Sequence, residues 1–240
     1  MPPLEHYTRQ LPYSYAAGLF PAMEALTKAP GTVSRVLLHS KLGTGEGAQA
    51  LLELCESLAI RTEVADKALR HISGKDNVYA AAVFNKVYRE QDPAKNHLVL
   101  VSCMDAGNLG TILRTALGMG FVDIALILPC ADPFDPQVVR ASMGAVFSLR
   151  IREYHSFEEY SARNLGRVFY PFMLDGSLPL AEAAARKSAP FSLIFGNEGS
   201  GLPREYAEHG TPVRIEQTEH VDSLNLAVAA GIGMYAFRDV

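Results

Sequence analysis

Three separated segments of the chain place polar, acidic and glycine residues at the ends of apolar runs. They are 108–114 (NLGTILR), 195–202 (FGNEGSGL) and 222–226 (DSLNL). Their amide, carboxylate, hydroxyl and guanidinium groups can orient a ligand and stabilise charge that develops in a reaction, and glycines let a ligand approach the backbone. Parallel α/β proteins bind ligands where their strands end. The three segments therefore predict one composite site.

The apolar runs around these segments predict the elements that position them. From His97 onward, short β-rich runs alternate with amphipathic stretches, which is typical of a parallel sheet covered on both faces. We predict strands at 97–104, 123–128, 147–151, 167–174, 192–195 and 212–215, and helices at 108–118, 136–145, 156–163, 179–187, 203–208 and 223–237. Asn108 is a favoured helix cap, as are Asp222 and Ser223, whereas Asn225 inside a first turn needs a buried partner or a ligand.

The first part of the chain has a pattern of its own. A helix is predicted at 18–27, a strand at 34–39, a helix at 48–58 and a strand at 78–84. The glycine-rich run 43–47 lacks the Gly-Lys-Ser/Thr ending of a phosphate loop and predicts a flexible turn. The polar segment that contains Asp92-Pro93 indicates a linker. We therefore expect a small α/β domain at 1–90, a linker at 91–96 and a second domain at 97–240.

Composition limits the function classes. With 240 residues and 48% apolar residues the chain can bury a sizeable core, and no apolar run reaches the length of a membrane span. The start of the chain lacks the pattern of a secretory signal. Three cysteines without metal-ligand spacing, Cys55, Cys103 and Cys130, indicate reduced thiols in a cytoplasmic protein and no metal. With a net charge of −4, a nucleic-acid partner needs a local basic patch.

Taken in order, the three segments resemble the signature motifs of the SpoU class of RNA ribose 2′-O-methyltransferases, in the TrmH-like part of the SPOUT superfamily. The resemblance covers roughly 97–240, and 15–85 is similar to the family's small substrate-binding domain of the ribosomal-protein L30e type. Two positions depart from the family pattern. Ala106 stands where proline usually follows the Asp of the first motif, and Glu216 stands where proline usually follows the Ile of the third. Both changes alter loop stiffness and remove no reactive group.

The resemblance implies an α/β fold, a parallel-sheet SPOUT methyltransferase domain with a C-terminal trefoil knot, preceded by a small α/β L30e-like domain. It also implies a homodimer that transfers a methyl group from S-adenosylmethionine to a ribose 2′-oxygen of RNA, with rRNA favoured over tRNA. The implied cofactor-binding residues are Leu174, Asp175, Gly176, Phe195, Gly196, Asn197, Gly199, Ile215, Gln217 and Leu224. The implied catalytic residues are Asn108, Arg114, Glu198, Ser223 and Asn225, with Arg114 reaching in from the other subunit.

Roles within the implied site follow from side-chain chemistry. A guanidinium stays protonated near neutral pH, so we expect Arg114 to hold the target phosphate and stabilise the developing oxyanion. Ser223 and Asn225 would orient the hydroxyl or the donor, and Glu198 would hold the loop and the ligand. RNA fits better than DNA because only RNA has the 2′-hydroxyl. The front domain would select the RNA shape through basic residues, namely Arg35, Lys41, Arg61, Lys67, Arg70 and Lys75.

Three alternatives remain at this point. The chain could be a SPOUT methyltransferase that modifies a tRNA base nitrogen, a non-catalytic RNA-binding factor that kept the fold, or a nucleotide-binding α/β protein of ordinary doubly wound topology. The Asn108…Arg114 motif and Ser223-Leu224-Asn225 favour ribose chemistry over base chemistry. The intact polar residues of all three segments argue against a non-catalytic factor.

Overall fold

A computed structural model of the chain describes residues 4–73 and 77–238, which divide into two compact units. The first unit lies within Met1–Val87 and Asp132–Ser148, and the second comprises Tyr88–Ala131 and Leu149–Val240 as far as they are described. The sequence-based division assigned 132–148 to the second domain, whereas here this segment packs with the first unit.

Strands and helices alternate along most of the chain. In chain order the elements are β1 (Tyr13–Ala17), α1 (Leu19–Lys28), β2 (Val33–Leu38), α2 (Glu46–Ser57), β3 (Thr62–Val64), α3 (Asp66–Ser73), β4 (Ala80–Asn85), β5 (His97–Val101), α4 (Ala106–Gly118), β6 (Asp123–Ile127), α5 (Pro136–Ala141), β7 (Arg150–Tyr154), α6 (Phe157–Arg163), β8 (Val168–Pro171), β9 (Leu178–Pro179), α7 (Leu180–Ala185), β10 (Phe191–Phe195), β11 (Val213–Arg214) and α8 (Leu226–Phe237). Short 3₁₀ helices occupy Pro30–Thr32, Ala145–Phe147 and Arg204–Glu208.

The first unit is built on a four-stranded sheet in the order β1-β4-β2-β3. β4 pairs antiparallel with β1 and β2, while β2 and β3 are parallel. The segment 132–148 joins this unit through α5, which packs on β1. Ser14 donates a 2.5 Å hydrogen bond to the Phe134 carbonyl. The buried Asp132 carboxylate accepts from Tyr7 and pairs with Lys86 at 3.3 Å. Buried polar contacts of this kind specify where the segment docks.

The second unit contains a five-stranded sheet in the order β7-β6-β5-β10-β8, and every neighbouring pair is parallel. β5, β6 and β10 are buried along their whole length, as expected for a parallel sheet that is covered on both faces. β9 and β11 form a separate parallel pair. The carboxyl ends of β5 and β10 lie side by side in this order, and each is followed by one of the polar segments.

Two predicted elements have different bounds in the structure, because the backbone between them leaves the regular conformation. The helix predicted at 136–145 stops at Ala141, because Met143 and Gly144 have φ values of 51° and 79°. A Cβ on Gly144 would lie 2.5 Å from Glu24 Cβ, so the turn can pack against α1 only with glycine at this position. β7 consequently begins at Arg150, whereas the prediction placed the strand at 147–151.

A buried polar cluster lies at the start of the central strand of the second unit. The His97 ring contacts the Tyr160 hydroxyl at 3.0 Å and the Asp92 carbonyl at 2.9 Å. Tyr160 also contacts the hydroxyl of Ser192 and accepts a hydrogen bond from Arg167. Burial, with the positive charge of Arg167 as the next cause, lowers the pKa of His97 to about 4. The imidazole is therefore neutral at physiological pH.

Candidate active site

The first polar segment is positioned by the start of α4. The Asp105 side chain caps this helix by accepting a 2.7 Å hydrogen bond from the Asn108 backbone N–H. The helix therefore begins at Ala106, whereas the sequence predicted a start at 108 with Asn108 as the cap. Since the capping oxygen comes from Asp105, the side-chain amide of Asn108 is left to make tertiary contacts.

The second segment follows β10 as a tightly closed loop. The backbones of Asn197 and Gly201 exchange two hydrogen bonds of 3.1 and 3.0 Å. The Asn197 side chain accepts from the Gly199 N–H at 2.8 Å and donates to the Ser102 carbonyl at 2.8 Å. A Cβ on Gly196 would lie 2.2 Å from the Gly201 carbonyl carbon, so the loop can close in this way only with glycine there. The loop is thus held against the end of β5.

The third segment is positioned by the start of α8. Asn225 caps this helix: its side-chain oxygen accepts from the N–H groups of Ala227 at 2.9 Å and Val228 at 3.3 Å. The prediction of caps at Asp222 and Ser223, with Asn225 inside the first turn, was wrong. The reason is that the chain stays non-helical through 222–225, so Asn225 is the residue whose oxygen reaches the free N–H groups.

Hydrogen bonds between side chains connect all three segments. The Asn225 amide donates to Asn108 Oδ1 at 3.1 Å, and the Asn108 amide donates to Glu198 Oε1 at 3.3 Å. The helix cap determines which atom of the Asn225 amide donates to Asn108. Because the Asn225 oxygen already accepts from α8, the nitrogen must be the donor. Asn108 then accepts with its oxygen and donates with its nitrogen to the carboxylate. We refer to these three side chains as the amide–carboxylate network.

The Glu198 carboxylate collects further donors. Oε1 also accepts from the Asp105 backbone N–H at 3.3 Å and lies 3.6 Å from Cys103 Sγ, while Oε2 accepts from the Asn197 amide at 3.2 Å. Burial raises the pKa of the Cys103 thiol, and the charge of Glu198 raises it further. Cys103 therefore remains a protonated donor. These contacts fix the carboxylate in a single position between β5, α4 and the loop.

A pocket of about 560 Å³ opens beside this network. Eleven of the residues predicted for the site line it: Leu174, Asp175, Phe195, Gly196, Asn197, Glu198, Gly199, Ile215, Gln217, Ser223 and Leu224. Gly176 does not line it but shapes it, since a Cβ there would lie 2.5 Å from the Val213 carbonyl carbon. Asn108 and Asn225 belong to the network and not to the lining.

Ten of the lining residues were not among the site residues named individually from the sequence. Five of them lie inside the second and third polar segments: Ser200, Gly201, Leu202, Asp222 and Leu226. The other five are Arg204 and four apolar residues of the predicted strands and last helix: Phe172, Met173, Val213 and Ala229. Apolar floor residues have the same pattern as any buried strand or helix, so the sequence carries no separate signal for them. Arg204 could have been selected, because it follows the second segment after only one proline.

Arg114 is not part of the amide–carboxylate network. It lies on α4, is exposed, and forms no ion pair within residues 4–73 and 77–238. α4 packs against α8, and the outer side of α8 exposes three large apolar residues at helical spacing. They are Val228, Ile232 and Tyr235, which are 52%, 37% and 59% exposed.

The basic residues predicted to contact RNA differ in accessibility. Lys41, Arg61, Lys67 and Arg70 are exposed, and Lys75 lies outside the described residues. Arg35 is buried, and its guanidinium pairs with Glu63 at 3.3 Å. The prediction that Arg35 contacts RNA was wrong, because a strand-to-strand ion pair neutralises this side chain inside the first unit.

Within residues 4–73 and 77–238, no helix combines the length and the apolar composition that crossing a bilayer requires. No group of three or more His, Cys, Asp and Glu side chains is arranged there to ligate a metal ion.

Comparison with known proteins places this site in a family. The model of the SpoU rRNA Methylase family matches residues 95–235, which contain all three polar segments. The chain belongs to the SpoU rRNA methylase family. The SpoU segments are therefore the parts of this chain that build the network and much of the pocket wall.

Relatives of this SpoU chain include proteins of different length. An uncharacterized tRNA/rRNA methyltransferase of Synechocystis is 35% identical over 172 residues, which are 68% of this chain and 60% of that protein. The 23S rRNA (guanosine(2553)-2′-O)-methyltransferase RlmP of Bacillus subtilis is 29% identical over 90% of this chain and 85% of its own length. The chain spans only 26% of the ribosomal RNA small subunit methyltransferase G 2 of Syntrophobacter fumaroxidans.

Solved structures share the SpoU fold with this chain. The AdoMet-bound rRNA methyltransferase of Sinorhizobium meliloti has a TM-score of 0.78 at 29% identity and covers 94% of this chain and 87% of its own. AviRb of Streptomyces viridochromogenes, in complex with AdoMet, has a TM-score of 0.78 at 23% identity and supports the fold alone. The α/β architecture with a parallel sheet is thus that of SpoU methyltransferases.

Proposed function

We propose that the chain is an S-adenosylmethionine-dependent RNA 2′-O-methyltransferase that acts on ribosomal RNA in preference to tRNA. One observation carries the proposal: the network of Asn225, Asn108 and Glu198 joins all three SpoU segments beside a pocket of ligand size. The B. subtilis relative, named a 23S rRNA 2′-O-methyltransferase, and the AdoMet-bound structure from S. meliloti support the reaction and the donor.

The pocket fits the donor in size, shape and charge. Its volume of about 560 Å³ lies within the usual range for small-molecule sites. Gly176 and Gly196 shape the pocket wall, because a Cβ at either position would meet the backbone of Val213 or of Gly201. The lining carboxylates, Asp175, Glu198 and Asp222, suit a cationic ligand. When bound, S-adenosylmethionine supplies a sulfonium methyl group that a nucleophilic oxygen can take. The residues that would hold it are those predicted above.

The protein contributes positioning and electrostatics, since methyl transfer to a hydroxyl needs no covalent intermediate on the enzyme. Glu198 and Asn108 hold the loop after β10 against α4, and Asn225 couples both to α8. Ser223, exposed on the pocket wall, orients the incoming hydroxyl. The Arg114 guanidinium holds the phosphate of the target nucleotide and stabilises the oxyanion that develops as the ribose hydroxyl loses its proton.

The first unit selects the RNA. Its exposed basic residues, Lys41, Arg61, Lys67 and Arg70, supply the local positive patch that the acidic net charge makes necessary. We assign this unit, with 132–148 included, as the small L30e-like domain of the protein. Cys55, Cys103 and Cys130 are free and buried, which agrees with a cytoplasmic enzyme.

We further propose that the enzyme is a homodimer and that its C-terminal segment forms the trefoil knot of the family. The apolar stripe of Val228, Ile232 and Tyr235 on α8 supports the dimer, because it is too regular for scattered surface residues. Arg114, on the neighbouring helix α4 and unpaired within the described residues, would then reach the partner's pocket.

Nucleoside analysis tests the function directly. Purified protein would be incubated with labelled S-adenosylmethionine and unmodified rRNA or tRNA, and the digested products separated by mass spectrometry. We expect a single 2′-O-methylated nucleoside, formed faster from rRNA. A methylated base would instead support a base-nitrogen methyltransferase. Donor binding without any transfer to either RNA would support a non-catalytic factor.

A further inference from the structure

Arg204 stands apart from the other residues that line the pocket. It is exposed at the start of the 3₁₀ helix that follows the closed loop, and it forms no ion pair with a described residue. It was not among the residues that the sequence assigned to the site. Its position beside a pocket rich in carboxylates gives it a definite electrostatic role.

The charges on the pocket lining are unbalanced. Asp175, Glu198 and Asp222 are acidic, whereas Arg204 is the one lining residue among those described that carries a cation. S-adenosylmethionine has two positive groups, the sulfonium and the ammonium, and one negative group, the methionine carboxylate. Asp175 and Asp222 can face the positive groups, since Glu198 is held by the network, but only Arg204 can form an ion pair with the negative one.

Resting on the proposed function, we infer that Arg204 binds the methionine carboxylate of the donor and so determines that the methyl donor carries an amino-acid carboxylate. A guanidinium presents parallel N–H donors that match the two oxygens of a carboxylate. A donor without this group loses the pairing and keeps the rest of the pocket.

The backbone of Arg204 is held in place by its neighbours. Leu202 and Tyr206 on either side of it are 8% and 6% exposed and pack in the core beneath the sheet with Phe157. The backbone is thus anchored while the side chain extends from the surface, which lowers the entropy cost of ordering it on a ligand. Glu205, the next residue of the 3₁₀ helix, forms no ion pair with Arg204.

Calorimetric titration with two ligands tests the assignment. S-adenosylmethionine and its decarboxylated form would each be titrated into the wild-type protein and into R204Q, R204K and R186Q. R186Q is the matched control, because Arg186 is an exposed arginine of the same unit that pairs with Glu182 on α7 and does not line the pocket. Thermal unfolding would verify that all variants fold.

We expect R204Q to raise the Kd for S-adenosylmethionine about tenfold and to leave the Kd for the decarboxylated donor unchanged. R204K should restore part of the affinity, and R186Q should change neither ligand. An equal loss for both ligands would show that Arg204 does not pair with the carboxylate. Unchanged donor binding in R204Q, with weaker RNA retention on filters, would assign Arg204 to an RNA phosphate and overturn the inference.

Failure of the proposed function gives a different result. In that case the wild-type protein itself would bind neither donor, and no comparison between variants would be needed. Wild-type binding of both donors with the same affinity would leave the function intact and contradict the role of Arg204 alone.

Discussion

The side-chain amide of Asn225 lies 3.1 Å from Oδ1 of Asn108, across 117 positions of sequence. The two polar atoms of the Asn225 side chain have different partners: the oxygen caps α8, and the nitrogen donates a hydrogen bond to Asn108 on α4. The start of one helix is thereby locked to the third residue of another. A change at this position that preserves one of these contacts and removes the other separates stability from activity.

Replacing Asn225 by aspartate should leave the fold intact and slow the reaction. The carboxylate still accepts from the N–H groups of α8, whose dipole favours it, but it cannot donate to Asn108. Asn108 would then lose its fixed orientation toward Glu198. We expect N225D to unfold at nearly the wild-type temperature and to lose about 10- to 100-fold in kcat.

N225A is the matched variant because it removes both contacts. It should unfold more easily by about 1 kcal/mol, the usual cost of a lost cap, in addition to the loss of activity. Equal activity of N225D and the wild type, measured as initial methylation rates, would reduce Asn225 to a structural cap.

Substitution of Arg114 should abolish methyl transfer while donor binding survives. R114A removes the cation proposed for the target phosphate, and the residue makes no ion pair with a described residue whose loss would disturb folding. Calorimetry should give an unchanged Kd for S-adenosylmethionine together with background turnover. Wild-type turnover in R114A would contradict the assignment.

Coexpression of two impaired variants tests whether Arg114 acts across a dimer. Heterodimers of R114A and N225D, purified through two tags, contain one wild-type site only if Arg114 comes from the partner. We expect about half of the wild-type activity per heterodimer, as an isologous dimer requires. Heterodimers no more active than N225D itself would place Arg114 in the site of its own subunit.

A charge on the apolar stripe of α8 should split the proposed dimer. Ile232 lies between Val228 and Tyr235 on the exposed side of the helix, so I232D would place an unpaired carboxylate in the proposed interface. Light scattering after gel filtration should give a monomer, with methylation lost because Arg114 no longer reaches a partner. A dimeric I232D protein would show that the subunits associate elsewhere.

Removal of exposed basic residues from the first unit should weaken RNA binding and its salt dependence. Each phosphate contact contributes slightly less than one to the slope of log affinity against log salt. We therefore expect the slope measured for the triple variant K41A/K67A/R70A to be smaller in magnitude than the wild-type slope by about two to three. R35M serves as the control: it should lower the unfolding temperature and leave the slope unchanged, because Arg35 pairs with Glu63 inside the unit.

His97 should make the protein less stable in mild acid. Its pKa is about 4 in the folded state and about 6.5 when unfolded, so the unfolded chain binds the extra proton first. The contribution of the neutral His97 imidazole to folding stability is complete above pH 6.5 and is lost as the pH falls from 6.5 toward 4. Unfolding temperatures measured from pH 7.5 to 5 should decline, and the decline should be smaller in H97Q. H155Q, a change at an exposed histidine, should follow the wild type.

Much of the second unit was predictable from sequence because its central strands have clear apolar runs. β5, β6 and β10 each contain three or four consecutive apolar residues, and the polar segments after β5 and β10 are rich in residue types that an ordinary turn does not need. The joining of Asn108, Glu198 and Asn225 follows from their placement at neighbouring strand and helix ends. The family model, which matches 95–235, covers this region.

Other features depend on contacts that local sequence does not reveal. Several polar residues precede α8, and only the path of the chain decides that Asn225 provides the cap. β3 has three residues, two of them exposed, so no periodicity predicted it. Without β3, the position of Glu63 opposite the strand of Arg35 could not be foreseen, and Arg35 was assigned to the RNA surface.

The assignment of 132–148 to the first unit changes how this protein can be divided. Because the chain passes from one unit to the other at 87–88, 131–132 and 148–149, no single cut separates them. A truncation at residue 90 would leave Phe134, Val138 and Phe147 without the partners that bury them. Exchange of RNA specificity between relatives, in the laboratory or by gene recombination, would therefore have to transfer two stretches of coding sequence together.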